Sequence, residues 1–287
     1  MKFCRFDDDR YGVVEGDKVH DITSAVEKVL AGKKKQRWGD AMIAHLDEVR
    51  AAVGNVSSYP SKAVADVTLL SPTATPSKLI AAPTNYHAHV AEMQARRPDQ
   101  PPGKGIAGSG LFLKANSAMV GTGEGVHLRF LDKLTEHELE FMIVIGNECS
   151  QVSEAEALDY VAGYCLSLDM TVRGGEERSM RKSIDSYAVI GPWLVTKDEI
   201  ADPNNVPFKL FVNGQIRHDA HTSDLIYNCQ KLISLASDFY TLYPGDVIFT
   251  GAPAGVGPVK PGDVMTGECD KLGPLVVKCY AYQNPRG

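Results

Sequence analysis

Glu136-His137-Glu138-Leu139-Glu140-Phe141-Met142-Ile143-Val144-Ile145-Gly146 sets three carboxylates ahead of an unbroken apolar run. Read as a strand, the stretch alternates faces, so Glu136, Glu138 and Glu140 share one face at steps of about 7 Å. Leu139 and Phe141 then fall on the other face, in a core. Carboxylates at the mouth of a buried strand are costly unless a cation or a basic side chain balances them. The alternative is an edge strand whose glutamates face water.

A second acid shifts the reading toward a site. Asp169 ends the apolar run Tyr164-Cys165-Leu166-Ser167-Leu168, another buried strand that stops on a carboxylate. Glu138, Glu140 and Asp169 on adjacent strand ends would make an all-oxygen, three-carboxylate site. Such a set suits a hard divalent cation, Mg²⁺ or Mn²⁺, better than Zn²⁺. Upstream, His89 and Glu92 in Asn85-Tyr86-His87-Ala88-His89-Val90-Ala91-Glu92-Met93 are i, i+3 neighbours on a predicted helix. A carboxylate that orients a histidine and raises its basicity makes a general base for water. On spacing alone such a pair is more often only a surface pair. His87 points elsewhere on the helix and reads as a bystander.

Working outward, the segment from residue 75 onward is predicted to hold many short strands: Lys78–Ala82, Leu111–Lys114, Leu139–Ile145, Tyr164–Met170, Tyr187–Val195, Lys209–Val212, Val247–Thr250 and Leu275–Ala281. Pro-Gly-Asp turns at Pro244–Asp246 and Pro261–Asp263 each feed a strand. Helices are fewer. Thr84 or Asn85 can cap one that ends before Pro98, Ser153 and Glu156 form a capping-box pattern, and Ser223 can cap a longer helix through Phe239. Residues 1–70 read as a small N-terminal α+β domain with strands at Lys2–Phe6, Tyr11–Glu15 and Lys18–Asp21 and helices at Ser24–Leu30 and Asp40–Val53. Gly54–Pro76 reads as a surface linker, and residues 71–287 as the catalytic domain. The predicted class is α+β and β-rich, a roll or sandwich instead of alternating βαβ units.

Composition excludes several alternatives. Thirty Lys and Arg against 36 acidic residues give a net charge of −6, the wrong sign for a phosphate-neutralising nucleic-acid binder. The basic run Lys33-Lys34-Lys35-Gln36-Arg37 reads as a solvated loop. The longest apolar run falls far short of the roughly 20 residues of a spanning helix, and the N-terminus has no apolar signal core. Six cysteines without a CxxC pair indicate neither a zinc site nor a disulfide frame. A cytoplasmic protein with reduced thiols is expected. Gly103-Lys104-Gly105-Ile106-Ala107-Gly108 matches GxGxxG, but the Pro-rich segment before it cannot be the strand that motif requires.

Taken together, Tyr86…His89-x-x-Glu92-Met93, Glu138-x-Glu140, Asp169-Met170-Thr171-x-Arg173, Arg181-Lys182-Ser183, Gly191-Pro192-Trp193, Val212-Asn213-Gly214 and Thr250-Gly251-Ala252-Pro253-Ala254-Gly255-Val256-Gly257 resemble the fumarylacetoacetate hydrolase family over roughly residues 75 to 281. The resemblance implies a mixed β-roll catalytic domain after a small N-terminal domain, and a homodimer. It implies that Glu138, Glu140 and Asp169 ligate Mg²⁺, Mn²⁺ or Ca²⁺, and that His89 and Glu92, on a lid helix, activate water. Lys182 would bind substrate and the developing oxyanion, and Arg173 would line the same pocket. Three positions depart from the family pattern: Gly174 and Glu176, in Arg173-Gly174-Gly175-Glu176, and Ala252, where a threonine is common. The lid, from Arg96 to Gly110, is rich in Pro and Gly.

The implied activity is hydrolysis of a carbon–carbon bond in a β-diketo acid of the acylpyruvate type, such as maleylpyruvate or fumarylpyruvate, releasing pyruvate. The same metal site also serves, in the family, isomerases and decarboxylases of 2-hydroxy-dienedioates, oxaloacetate decarboxylases and sugar-acid dehydratases. Outside catalysis, the alternative is a metal-stabilised binding protein for 2-oxo acids.

Overall fold

The computed structural model describes residues 1–34, 37–96, 98–99 and 104–284. Part of the basic run, Gly103 of the GxGxxG match, and Arg97 and residues 100–103 of the predicted lid lie outside the described residues.

Three antiparallel strands form the centre of a twelve-stranded sheet: Leu139–Ile145, Val161–Asp169 and Ala188–Thr196. Every residue in all three is buried. That explains why they read as continuous apolar runs: both faces of this sheet are covered. Phe141, Ile143, Tyr164, Leu166 and Leu168 point into one core, which also takes Leu232, Ile233 and Ala236 of the helix Cys229–Phe239. Met142, Val144, Cys165 and Leu194 point into the other, against Val26, Ile43 and Val49 from the N-terminal helices. Phe141 and Tyr164 stack across the strand pair with ring centroids 5.1 Å apart.

The first seventy residues share this sheet. Lys2–Phe6 pairs antiparallel with Ala188–Thr196, Lys2 opposite Val195 and Phe3 opposite Leu194. Gly54–Pro76 is more than a linker, because Ser61–Ala63 pairs with Lys18–Asp21 and Leu69–Leu70 pairs with Lys2–Phe6. A five-stranded sheet runs Gln215–His221, Pro207–Val212, Val264–Glu268, Leu275–Ala281 and Val126–Leu128. A three-stranded one joins Thr171–Val172, Thr135–His137 and Gly257–Pro258.

Several local expectations shift. Asp40 caps a short helix, Ala41–Ala44, accepting from the amides of Met42 and Ile43, and a second helix, Leu46–Val53, follows. The long C-terminal helix starts at Cys229 under an Asn228 cap, while Ser223 sits in a separate 3₁₀ turn. Asn85 does not cap the His87–Ala95 helix. Its amide instead donates to the carbonyls of Tyr227 and Thr250, tying the helix entry to the sheet. All six cysteines are free and buried, and burial pushes the thiols of Cys4, Cys229 and Cys279 up to about 12. No helix among the described residues is long and apolar enough to cross a membrane.

Candidate active site

The carboxylate stretch is two strands, not one. Thr135–His137 belongs to the small sheet and Leu139–Ile145 to the large one. Glu138 sits at the junction, where its carbonyl accepts from the amide of Asp169 at 2.9 Å. The antiparallel register carries through the junction, with Glu136 opposite Thr171 and Leu139 opposite Leu168. Glu138 and Glu140 converge with Asp169, one carboxylate oxygen from each lying within 4.8 Å of the others, all buried. Glu136 pairs with two arginines, Arg96 at 2.9 Å and Arg173, the second of which it shares with Glu138.

Each carboxylate of the triad is held differently. Burial favours the neutral acid at Glu138, but Lys182 and Arg173 outweigh it and bring the group down to about 2. Lys182 Nζ donates to Glu138 Oε2 at 2.5 Å and to Asp169 Oδ2 at 2.6 Å, while Arg173 donates to Glu138 Oε1 at 3.0 Å. Glu140 receives only the Gly251 amide, at 2.6 Å, among its hydrogen bonds between described residues. Burial first, then Asp169 and Glu138, push its carboxyl well above the usual range. Three buried acids crowding one point are the donor set a hard divalent cation requires, so the residues fit such an ion.

Lys182 is buried, yet it stays a firm ammonium because Asp169 and Glu138 more than offset its desolvation. A second buried lysine, Lys114, donates to Asp169 Oδ1 and to the Tyr187 carbonyl, and burial draws its pKa below the ordinary lysine value. Sequence reading passed over Lys114. Its signal was a lysine ending an apolar strand, Phe112–Lys114, with no water-facing position to occupy.

On the His87–Ala95 helix, His89 is buried and its Nδ1–H donates to Glu92 Oε2 at 3.0 Å. A carboxylate can only accept here, so the ring proton belongs on Nδ1, and the lone pair of Nε2 is the basic one. His87 is exposed, as a bystander should be. Arg96 joins Glu92, at 3.1 Å, to Glu136. A continuous ionic chain therefore runs Glu92, Arg96, Glu136, Arg173, Glu138, Lys182, Asp169 and Lys114. Arg96 and Glu136 are the links sequence reading did not assign. Glu176 turns to Lys133 at the surface, 2.8 Å away, and Ala252 is buried.

The family model for the fumarylacetoacetate hydrolase C-terminal domain matches residues 78–279. The chain belongs to this family. It is 48% identical over 285 residues, 96% of this chain and 98% of the relative, to a maleylpyruvate hydrolase of Aquipseudomonas alcaligenes. It is 40% identical over 186 residues, 62% of this chain and 80% of the relative, to a mitochondrial oxaloacetate tautomerase of Bos taurus. Among solved structures, maleylpyruvate hydrolase from Sphingobium sp. SYK-6, in complex with manganese(II) and pyruvate, superposes with a TM-score of 0.83 at 36% identity. That match covers 99% of this chain and all of the other. The β-rich α+β fold expected from the strand pattern is thus the fold of this family.

Proposed function

We propose that the protein is a metal-dependent acylpyruvate hydrolase, acting on a carbon–carbon bond of a ketonic acid such as maleylpyruvate or fumarylpyruvate and releasing pyruvate. The observation that carries this reading is the convergence of Glu138, Glu140 and Asp169, with His89, oriented by Glu92, near enough to act on the Glu138 carboxylate. The relatives named as maleylpyruvate hydrolases, one of them solved with manganese and pyruvate, support it.

A divalent ion held by Glu138, Glu140 and Asp169 would act as a Lewis acid toward the carboxylate and 2-oxo group of the substrate. His89 Nε2 takes a proton from water as its oxygen adds to the 4-oxo carbon, and Glu92 steadies the imidazolium that results. When the bond between carbons 3 and 4 breaks, its electron pair goes to carbon 3, giving the pyruvate enolate, while carbon 4 leaves as the carboxylic acid. Protonation of carbon 3 completes pyruvate. Lys182, a fixed buried ammonium, offsets the negative charge that develops, and Arg173 holds Glu138 ionised beside it.

Mg²⁺ as the working ion, a cytoplasmic setting and a homodimeric assembly belong to the same proposal. A panel of 2,4-dioxo acids and oxaloacetate, assayed for pyruvate with Mg²⁺ or Mn²⁺, tests it. Cleavage of the dioxo acids is expected. Pyruvate from oxaloacetate alone would replace hydrolysis with decarboxylation, and tight binding with no turnover would leave a binding protein.

A further inference from the structure

Three consecutive residues beyond the Thr250-Gly251 turn tie together the His218 strand and the helix that carries Glu92 and ends at Arg96. The Ala254 carbonyl accepts from His218 Nδ1 at 2.7 Å, the Gly255 amide donates to Glu92 Oε2 at 3.3 Å, and the Val256 carbonyl accepts from Arg96. His218 lies on the Gln215–His221 strand, is fully buried, and meets the ring of His137 edge-on with centroids 5.2 Å apart. Gly255 has a φ of +97°, and a Cβ there would lie 1.9 Å from the Arg217 carbonyl oxygen. Only glycine lets the loop press this closely against the strand that carries His218.

The consequence lies in Glu92. One of its oxygens, Oε2, accepts both the His89 Nδ1–H and the Gly255 amide, while the other is held by Arg96. The direction of the His89 ring is therefore tied to where the 254–256 loop sits. Among the described residues, the side-chain hydrogen bond that ties the loop to the five-stranded sheet comes from His218. We propose that His218 is a positioning residue that fixes the loop through Ala254 and, through the loop, holds Glu92 and His89 on line. The proposal rests on the reading of His89 and Glu92 as the water-activating pair.

Three variants of the full-length, Mn²⁺-loaded protein test it: His218→Ala, His218→Asn, whose side-chain N–H stands close to the position of Nδ1, and Gly255→Ala. His218→Ala is expected to lower kcat on maleylpyruvate about tenfold or more, because small misplacements of a catalytic group are amplified in rate. Mn²⁺ and oxalate affinities should stay unchanged. Backbone hydrogen exchange in residues 88–96 should speed up in His218→Ala and Gly255→Ala, and His218→Asn should restore both rate and protection. Should His218→Ala fail to fold, the contrast between His218→Asn and Gly255→Ala decides. Undiminished kcat, unaltered exchange, or an Asn variant no better than Ala would overturn the proposal. Full activity of His89→Ala would instead remove the water-activation reading, and exchange in residues 88–96 would still decide whether His218 holds the helix.

Discussion

The three carboxylates illustrate how charge is distributed within one small volume. Glu138 is bracketed by Lys182 and Arg173, whereas Glu140 has a single backbone amide. An ion entering the triad therefore gains most where no ammonium already sits. Glu140→Ala or Asp169→Ala is expected to abolish Mn²⁺ binding, followed by calorimetry or electron paramagnetic resonance, and activity with it, while circular dichroism stays native. Retention of full activity in excess chelator would contradict this. In the proposed mechanism His89 acts on the water and not on the 2-oxo acid. His89→Ala should lower kcat roughly 10²- to 10⁴-fold and leave oxalate inhibition nearly unchanged. A parallel collapse of oxalate affinity would make His89 a binding residue.

At the scale of elements, the central strands dictate how closely side chains fit. Gly163, in Val161–Asp169, lies so near its neighbour that a Cβ would stand 2.1 Å from the Val195 carbonyl oxygen. Gly163→Ala must push the two strands apart, at a cost of about 1–3 kcal/mol, read as a lowered Tm. An unchanged Tm would mean that the ladder yields freely. Strands with a clear hydrophobic pattern were the most legible in the sequence: Leu139–Ile145, buried on both faces, and Leu275–Ala281, which buries alternate residues, lie where that pattern places them. The site was legible where chemistry is local, as in the i, i+3 pair of His89 and Glu92 and the acid ending a buried strand at Asp169. It was less legible where function depends on long-range contact. Alternation could not reveal which two of the three glutamates meet Asp169, because that partner is distant in sequence. Lys114, Arg96 and His218 likewise acquire their roles only through tertiary pairing.

For the whole molecule, the twelve-stranded sheet makes the N-terminal seventy residues a structural partner of the site. We propose that the division between residues 1–70 and 71–287 is one of role and not of independent folding. A 71–287 fragment would lose the strand paired with Ala188–Thr196 and uncover the core face that holds Met142, Val144 and Leu194. It is expected to aggregate or to melt without cooperativity, and a monodisperse fragment with a sharp thermal transition would contradict this. In the proposed function, one buried carboxylate triad and one His–Glu pair together hydrolyse an acylpyruvate. The most direct measurement follows maleylpyruvate through a single assay of pyruvate and of the accompanying dicarboxylic acid, with Mn²⁺, after chelation, and after Mn²⁺ is restored. Equal amounts of both products, lost on chelation and recovered with the metal, are the expected result. Product formation that ignores the chelator, or none at all in saturating Mn²⁺, would contradict the account.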